Sequence, residues 1–388
     1  MPSRGSPRPR RCLPDVLRGL TWDHPRGSVA LRAAAARHRD RIAIEWQTQP
    51  LEGFESASIA ELAADHDLLV LDHPHLGEAV DGACLVPLDE LLDAAALDRI
   101  GGATIGRAAA SYELAGRVYA LPLDAAAQVQ AVHPGLLGDR EPPTSWDGIL
   151  ELAHALPVAL SLAGPHALLS FYSICAGLTA DRLGWTAEAP VPPTIGLEAL
   201  DLMGRLSARA EPSLARANPI EILEAMARSR AAACCPLVFG YVTYARRLSG
   251  RERLCFCDAP GLGSTLGGTG IALTRRCPLT PELAEHLLWL LDPVTQTTFI
   301  PEHEGQPSAR AAWSDRAVDA AAGGFYSGTR ATLEAAWVRP RFAGYVGFQT
   351  RGSRLIREGL EQRANHARLI AELSALWRSC LPAGWSAS

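Results

Sequence analysis

The sequence predicts an α/β protein of two domains built on mainly parallel sheets, and three observations carry that prediction. From Leu17 to Asp72 apolar strand-like runs alternate with helical stretches of about ten residues, the ordering of right-handed βαβ units. At 388 residues the chain exceeds the size at which a single hydrophobic core stops growing. Two apolar runs, LTWDHP at 20–25 and LLVLDHP at 68–74, close on the same Asp-His-Pro triplet. Parallel strands would bring both triplets to one carboxyl edge, where open α/β sheets hold their ligands.

The elements follow in order. LRGLTW reads as a strand, SVALRAAAARHRD as a helix, RIAIEWQTQ as a second strand, SIAELAADH as a helix and DLLVLD as a third strand. Pro25 and Pro74 stop the strands that precede them, since proline has no N–H to give a ladder. LVPLDELLD reads as helical, and Tyr112 to Leu123 as a hairpin with Gly116 in its turn. A second helical section opens at PPTSWDGILELA, where Ser145 or Thr144 can cap the free amides. Helices run on to about Arg230, followed by the strand AAACCPLVFGYV. Two more strands flank the Gly-rich RLCFCDAPGLGSTLGGTGIALT. The remainder is helical except for loop-rich patches at GGFYSGTR and VRPRFAGYVGF.

Composition removes several classes. All 37 basic side chains are Arg, so there is no Schiff-base lysine, no pyridoxal anchor and no Walker-type phosphate loop. A net charge of -5 gives no reason to expect nucleic acid or an anionic membrane as partner. No run approaches the roughly 18 apolar residues of a membrane span. The nine Cys are odd in number, include the adjacent Cys234 and Cys235, and form no Cys-x-x-Cys pair, so buried free thiols are expected rather than disulfides or zinc ribbons. Residues 1–17 are basic and Pro-rich without the apolar segment of an export signal, which predicts a disordered start and a cytoplasmic protein. A periplasmic location is the alternative if the true N-terminus differs.

Asp23, His24, Asp72 and His73, with His75 and His133, form the only cluster with metal-ligand chemistry, at a spacing that matches no compact signature. Contact with a polar solute is the expectation for these doublets, with no metal and no cofactor; a metal-dependent enzyme using them as ligands is the alternative. Arg26 lies at a helix start that suits a carboxylate or phosphate. Trp22, Phe239, Tyr241, Phe325, Tyr326 and Tyr345 are candidate stacking surfaces. PGLGSTLGGTG leads into a strand rather than a helix, so it reads as a flexible connection and not a phosphate cradle. No Gly-x-Ser-x-Gly elbow occurs and no catalytic residue is named.

Five segments in this order resemble the sugar-type solute-binding proteins of ABC importers: YELAGRVYALPLDAAAQVQAVHPGLL, PPTSWDGILELA, EAMARSRAAACCPLVFGY, GGTGIALT and LLWLLDPVTQTTFIPEHEGQPSARAAW. The resemblance implies the two-lobed type II periplasmic-binding-protein fold, each lobe a mainly parallel sheet flanked by helices. Lobe 1 would comprise residues 18–122 and 266–310, and lobe 2 residues 123–265 and 311–388. It further implies a cleft lined by Trp22, Asp23, His24, Arg26, Asp72, His73, Asp124, Gln128, Phe239, Tyr241 and Tyr326, with Arg339 and Tyr345. The implied function is binding of a sugar or hydroxylated organic acid with hinge closure. The implied protein is a monomer without catalysis, nucleic acid or membrane insertion, served by an ABC permease if exported. Replacing Asp72 is expected to weaken solute binding while leaving folding intact.

Overall fold

Strands β1 (Leu17–Trp22), β2 (Ile44–Gln49) and β3 (Leu68–Leu71) form where the alternation places them, with β1 between the other two and parallel to both. The structure, a computed structural model, describes residues 16–179, 183–246 and 249–385, so most of the expected N-terminal tail lies outside it. All four residues of β3 are buried, as a central strand requires. Strand β4 (Leu85–Val86) is short, and the hairpin β5 (Glu113–Leu114) and β6 (Arg117–Val118) turns through Ala115 and Gly116, both at positive φ.

The longest strand, β7 (Ala120–Val132), has 13 residues and every one is buried. Its first half pairs with β10 (Leu266–Thr274); its second half pairs with β8 (Cys234–Phe239) and β9 (Cys255–Cys257). One strand therefore belongs to both lobes. The sheet order is β2-β1-β3-β10-β7-β8, with β4 on β10 and β9 on β7. In the first lobe only β10 runs against its neighbours; in the second, β7 is the reversed strand, and Val158 bridges Cys234 and Ala210 in parallel. Each lobe is thus mainly parallel in direction, with one crossing strand reversed.

Two apolar clusters fill the first lobe around Leu68, Leu71 and Ile271, and the helix Pro281–Leu291 packs against one of them through Leu283 and Leu287. In the second lobe Phe171, Tyr172, Tyr345, Phe348 and Trp377 anchor the largest cluster.

Four local readings change. LVPLDELLD holds β4 and a single 3-10 turn, because Pro87 cannot sit within a helix. The Gly-rich connection ends in β10 itself: Gly267 and Gly268 are strand residues. A Cβ on Gly267 would lie 2.4 Å from the Phe239 ring, and Gly268 has a φ of 96° beside a register shift, so glycine here permits close strand approach rather than flexibility. GGFYSGTR and VRPRFAGYVGF lead into the helices Phe325–Ala335 and Tyr345–Glu361, each preceded by a left-handed glycine, Gly324 and Gly344.

Candidate interlobe cleft

Where β1 ends, His24 caps helix α1 (Pro25–His38): its Nδ1 accepts from the Arg26 N–H at 3.1 Å. The ring packs edge-on against Tyr241 at 4.8 Å. Arg26, 7 % exposed, turns inward. Its Nε donates to Asp124 Oδ2 at 2.9 Å, one terminal nitrogen donates to the Gly240 carbonyl at 3.1 Å, and the guanidinium stands 4.7 Å from the Tyr241 ring centroid. Asp124 also accepts from the Thr269 N–H at 2.7 Å. The start of α1, the crossing strand β7 and the end of β8 are thereby joined through one cation.

The second triplet is built differently. Asp72 accepts from the His73 N–H at 2.9 Å, and both of its oxygens accept from one nitrogen of Arg339, at 2.8 and 2.6 Å. Arg339 is 1 % exposed and donates as well to Gln349 and to the Leu266 carbonyl. The His73 ring, fully buried, lies 3.2 Å from Asp72.

Between these tips lies a cavity of about 50 Å³. Trp22, Arg26 and Asp72 face it from the tips, and Phe239 and Tyr241 from the second lobe. The floor is Ala126 with Gly267 to Thr269. Helix α2 (Leu51–Ser56) adds Phe54, whose ring is 5.2 Å from that of Trp22, and Glu55. Glu55 Oε1 reaches across to within 3.0 Å of Nε2 of His166, on the buried helix His166–Leu178 of the other lobe. The cleft is closed. A water takes up about 30 Å³ and small-molecule pockets begin near 300 Å³, so this space holds no sugar until the lobes part.

Several expected site residues lie elsewhere, each for a physical reason. Asp23 is exposed, and the buried His24, as helix cap, spends its ring on α1, Tyr241 and Tyr244. His73 is buried beside Asp72, away from the open space. Asp124 is covered by Arg26. Gln128 is fully buried and bonded to Ser170, Ser173 and Thr265, because alternation along β7 turns it toward the helix His166–Leu178. Tyr326 packs among Trp313 and Phe325, and Tyr345 among Phe342 and Phe348. Arg339 stands behind Asp72. His133 is buried next to Glu252. Among the described residues no three His, Cys, Asp or Glu side chains converge as a metal set. The doublets do not assemble the site that a metal-dependent enzyme needs, since Asp72 is taken by Arg339 and the imidazoles of His24 and His73 are buried outside the open space.

Phe54, Glu55, His166, Gly267 and Gly268 were not expected at the cleft. LEGFES carried a helix-start signal, Pro50 with Glu52 in the first turn, which its short length concealed.

Electrostatics follow burial. Burial opposes the Arg26 charge, but Asp124 together with Tyr241 and Tyr326 outweighs it and raises the pKa. Burial raises Asp72, yet Arg339 and then His73 hold it well below the usual carboxylate range. Burial, with Arg26 and Arg251 adding, lowers His24 to about 3; burial and Arg339 lower His73 to about 4, against Asp72. Both imidazoles are therefore neutral in the fold while the unfolded chain takes up protons near pH 6.5. Between pH 6.5 and about 4 the unfolded state binds more protons, so stability falls as pH falls. Urea midpoints measured from pH 8 to pH 4 will decline below pH 6.5; a flat profile refutes the neutral buried imidazoles. A second expected result concerns closure. Glu55→Ala removes the close approach of its carboxylate to the His166 ring and is expected to weaken the closed state. Small-angle scattering will show a larger radius of gyration than for the parent; equal radii refute the latch.

The fold is the two-lobed periplasmic-binding-protein architecture, which solved sugar- and polyol-binding proteins of ABC transporters share. T. maritima MalE3 with bound maltose superposes with a TM-score of 0.76 at 17 % identity, over 94 % of this chain and 100 % of that one. An ABC transporter solute-binding protein from Agrobacterium radiobacter K84, in complex with ribitol, gives 0.75 at 18 %, covering 94 % and 98 %. One from Thermotoga lettingae TMO, bound with α-D-tagatose, gives 0.74 at 14 %, covering 95 % and 100 %. No family model and no curated protein sequence matches the chain.

Proposed function

We propose that this protein is a non-catalytic solute-binding protein that closes its two lobes on a small neutral hydroxylated solute, a sugar or polyol. The observation that carries this reading is the charge pairing in the cleft. Arg26 is matched by Asp124 and Arg339 by Asp72, so neither guanidinium is left for an organic acid. What remains toward the open space is the aromatic surface of Trp22, Phe54, Phe239 and Tyr241 beside the Glu55 and Asp72 carboxylates. Hydroxyls donate to carboxylates, and C–H faces of a sugar lie on aromatic rings. The solutes named with the structural neighbours, maltose, ribitol and tagatose, are of this kind.

Trp22, Arg26, Asp72, Phe239 and Tyr241 would contact the solute with Phe54 and Glu55, and Asp124 would orient Arg26. The lobes would comprise residues 18–122 with 266–310 and 123–265 with 311–388, turning about the crossing strands. Solute bridging both lobes favours the closed state by its differential affinity; a micromolar ligand requires about -8 kcal/mol in total. The protein would act as a monomer, with an ABC permease as partner where it serves transport. No helix among the described residues is long and apolar enough to cross a membrane. The eight Cys among the described residues are free thiols, which supports a reducing compartment.

A thermal-shift series with ribitol, mannitol, tagatose, maltose, citrate and zinc tests the proposal. A solute at a hundred times its dissociation constant adds about 2.7 kcal/mol to stability. A rise with at least one neutral compound and none with citrate is expected. Stabilisation by zinc or citrate alone would overturn the reading.

A further inference from the structure

Asp72 faces the cleft, while its partner Arg339 lines a second and larger cavity of about 620 Å³. This space opens between the helix Leu76–Asp81 and the segments around Trp185, Trp337 and Trp385. Its size is that of a small-molecule site, ten times and more the free space in the cleft.

Two features of the wall are unusual together. The first is aromatic: three of the nine Trp line it, each only partly buried. Trp185 and Trp337 meet edge to face at 5.1 Å, and the Trp337 N–H is already given to the Leu183 carbonyl at 2.8 Å, so the ring faces are what the wall offers. The second is cationic. Arg107 is exposed at the mouth, and Arg341 is pinned beside it by one terminal nitrogen, which donates to the carbonyls of Ala110, Ser111 and Glu113 at 2.7, 3.0 and 2.7 Å. The rest of that guanidinium has no protein acceptor among the described residues. Burial and then Arg107 lower the Arg341 pKa, with Glu113 opposing them. Asp81 is the acid on the wall itself. Deeper in, Nε of the buried Arg339 also lacks a partner.

We propose that this cavity binds a flat aromatic anion, its ring against Trp185 and Trp337 and its carboxylate or sulfonate on Arg107 and Arg341. The chemistry selects that class. A neutral polyol leaves the two like charges facing each other, a cation adds to their repulsion, and an aliphatic anion leaves the indole faces wet. Planar anions satisfy a guanidinium through paired hydrogen bonds. The inference is independent of the solute proposed for the cleft, since it uses none of the residues assigned there.

The probe pair is 2-naphthoate and its uncharged analogue 2-naphthamide, titrated into the full chain with tryptophan emission and calorimetry as readouts. Naphthoate is expected to quench emission, to bind one equivalent, and to bind at least tenfold more tightly than the amide. Arg107→Ala, a surface change, is expected to weaken naphthoate tenfold or more while leaving the amide unchanged; Trp185→Ala is expected to weaken both. Equal affinities for the two probes, absence of quenching, or naphthoate binding that survives Arg107→Ala would each overturn the proposal. Should Trp185→Ala lower the melting temperature, the Arg107→Ala comparison decides alone.

Discussion

Asp72→Ala will destabilise the protein by about 3–5 kcal/mol, the cost of leaving one member of a buried ion pair without its partner. Arg339 is 1 % exposed and keeps its bonds to Gln349 and the Leu266 carbonyl, but neither neutralises a guanidinium. The sequence suggested that this substitution would spare folding. The structure leads to the opposite prediction, because the Asp72 carboxylate holds a buried cation as well as facing the cleft. Urea denaturation of the parent, Asp72→Ala, Arg339→Met and the double variant measures the effect. The double variant will recover much of the loss, since it leaves no unpaired charge. A single variant within 1 kcal/mol of the parent would refute the pair's structural role. The acid limit follows from the same pair. Asp72 is held below its unfolded value, so its contribution is complete above about pH 4 and is lost only as pH falls through the lower folded value.

Arg26→Ala carries the second large effect, a loss of about 3–5 kcal/mol together with the closed arrangement of the cleft. The substitution strands the Asp124 carboxylate, 5 % exposed, with only the Thr269 N–H, and frees the Gly240 carbonyl. It also removes the cation from the Tyr241 face. A double-mutant cycle with Asp124→Ala will give a coupling of at least about 1 kcal/mol, and Arg26→Ala will abolish the thermal shift by any polyol that stabilises the parent. Additive single effects would show that the two charges are energetically separate. Because Arg26 is buried against both lobes, stability and solute response are expected to fall together.

Much of the fold was legible because it rests on local patterning. Strand alternation gave β1, β2 and β3, and Ser145 does cap its helix, accepting from the Gly148 N–H at 3.2 Å. Of the two Asp-His-Pro triplets only Asp72 lines the open space; the first triplet reaches it through its neighbours Trp22 and Arg26, a difference the shared motif did not reveal. Rotamer and burial decide it: Asp23 is exposed, His24 turns back to cap its own helix, and His73 is fully buried. Pairings such as Arg26 with Asp124 or Asp72 with Arg339 join residues 98 and 267 positions apart, and no local pattern encodes them. Glu55 and His166 were hidden for the same reason, each ordinary in its own segment.

The unbroken crossing strand sets the kinematics of opening. Thirteen extended residues make a rod of about 40 Å that can twist but cannot lengthen. In the opening proposed above, the lobes would rotate about this axle, with displacement growing with radial distance from it. Asp124, on the axle, would barely travel, whereas Glu55 and His166, carried on flanking helices, would sweep through the larger arc. Changes along the axle alter both end states alike and move the melting point; changes at the rim tilt the balance between them.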